Sequence, residues 1–312
     1  MQVIEEELAR FSPEKETVLT VGVFDGVHLG HKYLISQLLT QARQRGLLSG
    51  VITFKQHPRE LLSPHSRPSY LITLEERLQL LKQEGVDFVV ALSFTKELSD
   101  LTAREFVTLL MKHLRMRGLV IGPDFALGKN REGNAVMLSK LGKEIGFTVT
   151  SVPPKKLDEE VASSTAIRNA LTAGDMQKVT RLFGHPFSLH GKVTTGEHRG
   201  AGMGFPTANI EVDAHHALPP DGVYATWAYV GNKVYQSMTN IGRRPTFGAH
   251  NKRTVEVFIL SYDKDLYGKD LKIELVERLR GERKFESAEA LKQQISEDVR
   301  RGKEILDSMA KK

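Results

Sequence analysis

The 312-residue chain contains no cysteine. Disulfides, thiolate metal sites and cysteine nucleophiles are thereby excluded, and a reducing, cytoplasmic setting suits the composition. No apolar run approaches the roughly 20 residues that a membrane-spanning helix requires. The opening MQVIEEELARF is acidic early and lacks an apolar segment of the secretory type, so no export signal is expected. There is also no long basic block. The net charge of +6 divides evenly: residues 184–312 carry 20 basic and 17 acidic side chains, and the remainder carries 24 and 21. An excess spread so evenly gives no stripe for a nucleic acid to follow, though it suits small anions such as nucleotides. Finally, no Gly-x4-Gly-Lys-Ser/Thr phosphate loop is present, so any ATP must be held in another way.

What is present falls into two textures. The first half alternates continuous apolar runs with amphipathic stretches. TVLTVGVF (17–24), SGVITF (49–54), VDFVVALSF (86–94), RGLVIG (117–122) and FTVTSV (147–152) read as parallel strands buried on both faces. Helices are expected near 31–46, 73–84, 102–117 and 134–145, with Thr73 and Thr102 as N-caps three residues before Glu76 and Glu105. A further helical pattern covers about 163–182. This alternation predicts a doubly wound α/β domain. From about 184 the chain turns rich in β-branched and aromatic residues with frequent Gly and Pro. Six strands are expected (187–195, 206–212, 222–231, 233–241, 253–262, 270–279), closing into an antiparallel barrel, with a last helix at about 287–309 capped by Ser287. The boundary is expected at Phe183–His185, giving domains 1–183 and 184–312.

The densest chemistry in the first half is GVFDGVHLGH (22–31), which follows a strand and opens a helix. Gly22, Gly26 and Gly30 allow close backbone approach, and a helix N-terminus attracts phosphate. His28 and His31, three residues apart, can face one anion and donate hydrogen bonds to charge building on a phosphate. A polar turn with two surface histidines is the bland alternative; the strand–Gly–His–x–Gly–His–helix order outweighs it. In the second half, GFPTANI (204–210) places Thr207 and Asn209 on one face of an extended segment, where their oxygens suit Mg²⁺ already held by ATP. Glu256 alternates with Val255 and Val257, so it can point into a site while its neighbours pack. Phe205, Phe247 and Tyr262 are read first as barrel core.

GVFDGVHLGH resembles the nucleotidyltransferase superfamily with its HxGH signature, and the FAD synthetase branch in particular. TFKQHPRELL (53–62), GPDFALGKNREGN (122–134) and ASSTAIRNAL (162–171) resemble further segments of that branch in the same order. GFPTANI, DGVYAT (221–226), NIGRRPTFG (240–248), TVEVFILSYDKDLYG (254–268) and RLRGERKFES (278–287) resemble riboflavin kinase across the second half. The resemblance is to the bifunctional prokaryotic riboflavin kinase/FAD synthetase family and covers roughly residues 15 to 310. It implies a Rossmann-like nucleotidyltransferase domain followed by a six-stranded riboflavin-kinase barrel with a terminal helix. It implies ATP-dependent phosphorylation of riboflavin to FMN, then adenylyl transfer from ATP to FMN, giving FAD and pyrophosphate.

Residue roles follow from the matched motifs. His28 and His31 would act at the phosphates of the adenylyltransferase. Gly22, Phe24, Asp25, Gly30, Asp124, Ser163, Ser164, Thr165 and Arg168 would hold ATP, and His57, Pro58 and Arg59 the flavin. Glu256 would be the kinase base. Gly191, Lys192, Gly204, Pro206, Thr207 and Asn209 would hold kinase ATP, with Mg²⁺ at Thr207 and Asn209, and GKVTTGEHRGAGMG (191–204) is a candidate flap. Ala126 and Ala201 depart from the family pattern, where basic residues are expected; for the latter, either Arg199 compensates or the phosphate grip is looser. The partners implied are riboflavin, FMN and ATP, with no nucleic acid and no membrane; weak self-association into a homo-oligomer is compatible with the sequence. Three rivals stand beside this reading. They are a synthetase with an inactive kinase-like domain, a nucleotidyltransferase for another phosphate-bearing substrate such as phosphopantetheine, and a flavin-sensing RNA binder.

Overall fold

A computed structural model of the chain describes residues 2–63, 69–194, 204–243 and 253–310. The chain divides into two compact units, Met1–Ser164 and Thr165–Lys312. Arg199, Ala201 and Phe247 lie outside the described residues, as does most of the expected flap.

The first unit is built on five parallel strands: β1 (Thr17–Val21), β2 (Leu48–Phe54), β3 (Phe88–Leu92), β4 (Met116–Ile121) and β5 (Thr148–Ser151). Their order is β3-β2-β1-β4-β5. The chain therefore winds one way from β1 through β2 to β3, then crosses back to β4, and the reversal opens a crevice beyond the C-terminal ends of β1 and β4. Helices α1 (Gln2–Ala9), α2 (Leu29–Arg45), α3 (Pro58–Leu62), α4 (Leu74–Gln83), α5 (Lys96–Asp100), α6 (Ala103–Leu114) and α7 (Ala135–Ile145) connect or cover the strands. Two apolar cores result. One joins Leu19, Ile52 and Val90 to α1 and α6; the other joins Val18, Val51 and Val120 to Ile35 and Leu38 of α2. Burial on both faces explains why these strands read as unbroken apolar runs. Thr73 and Thr102 cap α4 and α6 as the sequence predicts, Thr102 with a full capping box to Glu105.

The helical pattern over 163–182 resolves into α8 (Ser164–Ala173) and α9 (Met176–Phe183), divided at Gly174, whose φ of 76° ends the first helix. The second unit is a closed barrel of β6 (Phe187–Thr194), β7 (Ala208–Glu211), β8 (Gly222–Val230), β9 (Lys233–Arg243), β10 (Arg253–Ile259) and β11 (Asp270–Gly281), in the order β6-β7-β10-β9-β8-β11. Helix α10 (Ala288–Ala310) follows, with Ala290 N–H donating to Ser287 Oγ at 3.1 Å. Leu306 of α10 packs with Met238 and Leu279 on the outside of the barrel. Arg280 and Asp298 hold the helix to β11 at 2.9 Å. Helix α9 packs on β11 and β6.

Two aromatic residues differ from expectation. Phe205 and Tyr262 are half-buried rather than part of the interior. Phe205 meets Phe258 edge-on, and Tyr262 meets Tyr235 in the same way. Phe258 alternates with the buried Val257 and Ile259, so it faces outward and takes Phe205 with it.

Candidate functional sites

In the first unit, the motif loop leaves β1 at Gly22 and enters α2 at Leu29. His28 is the N-cap of α2, and its Nδ1 accepts from the backbone N–H groups of Gly30 (3.2 Å) and His31 (3.3 Å). With Nδ1 engaged as an acceptor, a neutral His28 carries its proton on Nε2. The His28 and His31 rings stack at 3.6 Å, and Phe24 meets His31 edge-on at 5.1 Å. His31 Nδ1 is buried without a partner among the described residues. Burial first, then the nearby His28 and Arg77 charges, hold the His31 pKa well below 6.5, so this imidazole is neutral at pH 7. The neutral His31 and the capping His28 thus sit at a helix N-terminus on the lip of the sheet crevice, which suits them to donate hydrogen bonds to an anion.

The other expected residues of this unit come from loops at the same edge of the sheet. Ser164 Oγ donates to the Asp25 carbonyl at 2.9 Å, joining the Ser-Ser-Thr segment to the motif loop across 139 residues of chain. Gly30 allows that approach: a Cβ there would lie 2.4 Å from the Ala162 carbonyl oxygen and 3.0 Å from the His28 ring. At Gly22 a Cβ would press on the Phe24 ring at 3.0 Å. Asp25 is buried, and its carboxylate accepts the Leu71 N–H with both oxygens, at 3.0 and 3.2 Å. His57 caps α3 by accepting from Arg59 N–H at 3.1 Å, with Pro58 in the first turn and Arg59 exposed. His57 N–H donates to Tyr70 Oη at 2.6 Å, so the Tyr70–Leu71 pair connects the α3 loop to Asp25. Tyr70 also bonds Glu60; burial and this contact push its pKa up to about 12. Asp124 is exposed just beyond β4, its carbonyl accepting from Arg131. Ala126 pairs with Asn134 in a short ladder. Ser163 is half-buried next to Ser164, whereas Thr165 and Arg168 belong to the second unit.

In the second unit, strand register assembles a row. Asn209 on β7 lies opposite Glu256 on β10, and Glu256 lies opposite Asn240 on β9. Directly opposed residues share a face, with Cβ atoms roughly 4.5–5.5 Å apart. Val255 and Val257 fill the interior, so the row occupies the outer wall. Asn240 also hydrogen-bonds Glu282, a carboxyl whose pKa burial raises. Asn240 went unassigned in the sequence; only the register of three strands brings it into the row.

The barrel also has a cavity of about 440 Å³, whose lining includes Ala208, Val257 and Ile259, on the face opposite to the row. It is lined by Val193 and Thr194, by Pro206 and Thr207, and by the 262–267 turn. Thr207 lines this cavity, two residues before Asn209. Gly204 makes the left-handed turn into this segment, with φ of 88°. Gly191 allows β6 to approach β7, since a Cβ there would lie 2.0 Å from the Glu211 carbonyl oxygen. Lys192 is exposed and paired in the ladder with Glu211 and Asp270, apart from the cavity lining. Among the described residues no group of three or more His, Asp or Glu side chains could hold a metal by itself.

The FAD synthetase family model matches residues 11–166 and the riboflavin kinase family model residues 183–306. A bifunctional riboflavin kinase/FMN adenylyltransferase from Escherichia coli strain K12 is 38% identical over 297 residues, covering 95% of this chain and 94% of the relative. The chain belongs to the bifunctional riboflavin kinase/FMN adenylyltransferase family. Relatives of the same name from Listeria monocytogenes (36% identical, 90% of each chain covered) and Bacillus subtilis (35%, 91% of each) agree. These bifunctional enzymes match along both units, so the single-activity alternative has no support. A solved structure described as a macrolide-efflux protein from Streptococcus pneumoniae superposes with a TM-score of 0.86 at 29% identity, covering 94% of this chain and 95% of that one. Among the described residues, no helix of this family member is long and apolar enough to cross a membrane.

Proposed function

We propose that the chain converts riboflavin to FMN on the barrel and FMN to FAD at the motif loop, in the cytoplasm, with the residues of the two sites in specific roles. The observation that supports this most is that two sets of motif residues converge separately, one in each compact unit, each in a geometry that suits its own half-reaction.

On the barrel, Glu256 accepts the proton of the riboflavin 5′-hydroxyl as that oxygen attacks the γ-phosphorus of ATP. The γ-phosphoryl–oxygen bond to ADP breaks, and ADP leaves. Asn209 and Asn240 flank the carboxylate and fix its direction, while Thr207 contacts the triphosphate. The apolar lining and the Tyr262–Tyr267 turn give the cavity room for the nucleoside end. The hydroxyl and amide oxygens of Thr207 and Asn209 fit Mg²⁺ delivered with ATP, which when bound neutralises phosphate charge.

At the motif loop, an FMN phosphate oxygen attacks the α-phosphorus of a second ATP and pyrophosphate leaves. A phosphate monoester dianion is already nucleophilic, so no strong base is needed, and positioning and charge stabilisation dominate. His28 donates through Nε2 to the α-phosphate as charge builds, and His31 supports it from the stacked position. Ser163 and Ser164 serve the phosphates, and His57, Pro58 and Arg59 the flavin side. Incubation of the purified chain with riboflavin and Mg-ATP, followed by chromatography over time, tests the reading: FMN should rise and fall while FAD accumulates. FMN that persists without FAD would remove the second activity.

A further inference from the structure

Arg77 of α4 is the largest fully buried side chain among the described residues, at 1% exposure, and neither half-reaction uses it directly. Burying a guanidinium is costly unless the charge is paired and hydrogen-bonded. Its Nη1 donates to the Val23 carbonyl at 2.6 Å, its Nε has no partner among the described residues, and the buried Asp25 supplies the opposing charge. Val23 and Asp25 flank Phe24, which sits at φ of 53°; Val27, at 39°, is left-handed as well. Neither is glycine, so each conformation is strained and persists only if the surroundings hold it.

The surroundings do so from three directions. Arg77 and Thr53 both donate to the Val23 carbonyl, Leu71 N–H donates to the Asp25 carboxylate, and Ser164 donates to the Asp25 carbonyl. The reward for holding Phe24 left-handed is the seat of its ring, 2% exposed and edge-on against His31, which in turn stacks on His28. A chain of contacts thus runs from the guanidinium through Val23 and Phe24 to both imidazoles.

We propose that Arg77 is the positioning residue of adenylyl transfer, fixing the strained Val23–Asp25 backbone so that Phe24 holds the His28–His31 stack at the transferred phosphate. This rests on the reading of His28 and His31 as the adenylyl-transfer site. Arg77 touches no substrate. Its removal should lower kcat for FAD formation while leaving substrate affinity nearly intact.

The test uses the full chain, supplied with FMN and Mg-ATP; circular dichroism and thermal unfolding of each variant check the fold of the first unit, and FMN formation from riboflavin checks the second. Arg77→Met should lower kcat for FAD formation about 100-fold, the scale of an ångström-size misplacement, with KM values changed less than about threefold. Arg77→Lys, which restores the charge and one donor, should recover at least about a tenth of the lost rate. Thr53→Val removes the second donor to Val23 and should lower kcat by a smaller factor; if Arg77→Met does not fold, this variant and Arg77→Lys decide. An unchanged kcat per folded molecule in Arg77→Met, or in Thr53→Val when that variant decides, would overturn the proposal. So would a loss confined to KM, or equal losses in Arg77→Lys and Arg77→Met. His28→Ala is assayed alongside: if it keeps full FAD formation, the reading of the site fails, which is a different result from His28→Ala losing activity while Arg77→Met keeps it.

Discussion

At the scale of single residues, each site depends on one group whose surroundings set its task. Glu256 gains meaning from Asn209 and Asn240 on either side of it, because register and not sequence proximity creates that row. Glu256→Gln keeps shape and hydrogen bonding but cannot take a proton. It should lower FMN formation by about 10²–10⁴, the usual worth of a general base, and leave FAD formation from supplied FMN intact. His28→Ala should do the converse, lowering FAD formation about 10²–10³-fold, as loss of one donor to a transition-state oxyanion does. Assays of the two half-reactions on each variant check both outcomes; equal loss of both activities in either variant would contradict two separate sites. Asp25 teaches a different lesson. In sequence it stands inside the motif and reads as a phosphate contact; in the fold its carboxylate accepts the Leu71 N–H and lies near Arg77.

At the scale of elements, the sequence was most legible where periodicity runs for several turns or where a strand is buried on both sides. The five parallel strands, the four long helices of the first unit, the six barrel strands and α10 all fall within a few residues of expectation. The five-residue helices α3 and α5 were not foreseen, because barely more than one turn gives no period to read. Helix α1 escaped too, although Ile4 and Leu8 are completely buried one turn apart. Arg77 went unassigned in the sequence for a related reason: its place in the 73–84 helix does not mark it as buried, and only packing reveals the burial. Element junctions carry the sharper predictions. Gly30→Ala would drive a Cβ into the Ala162 carbonyl, so it should destabilise the first unit by about 1–3 kcal/mol and sharply reduce FAD formation while sparing FMN formation. Gly46→Ala, at the left-handed end of α2 with open space around it, should cost only about 1–2 kcal/mol of backbone strain and leave both activities alone. Thermal unfolding and the paired assays separate the two.

The barrel also carries an acid-sensitive packing element. His216 is buried against Phe187, and burial is the main cause that brings its pKa down to about 4; His190 adds to the shift, while Ser188 and Asp213 oppose it. The unfolded chain takes up a proton near pH 6.5 that the folded barrel refuses until about pH 4. The stability this supplies is complete above pH 6.5 and is lost as pH falls toward 4, at most on the order of 3 kcal/mol. Trp227 of β8 is the only tryptophan in the chain, so its fluorescence follows barrel unfolding alone. Denaturant midpoints read this way should fall between pH 7 and pH 4.5, and His216→Gln should flatten that fall. A slope unchanged by the substitution would put the acid sensitivity elsewhere.

At the scale of the whole molecule, two activities share one chain, yet each has its own core, its own ATP and its own reacting oxygen. The chain passes from one unit to the other within the Ser-Ser-Thr motif, between Ser164 and Thr165, at the start of α8. No local pattern marks that division; it emerges only from which surfaces the following helices cover, as α9 covers β11 and β6. If the sites work independently, they need not belong to the same polypeptide. Glu256→Gln is slow to begin with riboflavin, and His28→Ala is slow to proceed beyond FMN, so each alone should produce FAD from riboflavin and Mg-ATP only at its residual rate. Mixed together they should produce it faster, because FMN released by the second protein is a substrate for the first. FAD should then appear after a lag that shortens as both protein concentrations rise, since the intermediate crosses solvent. The wild-type chain at the same concentration of each site gives the reference lag. A mixture that yields FAD no faster than the variants alone, each proven competent in its own half-reaction, would mean that FMN does not leave the chain that makes it. Independence of the two sites would then have to be abandoned.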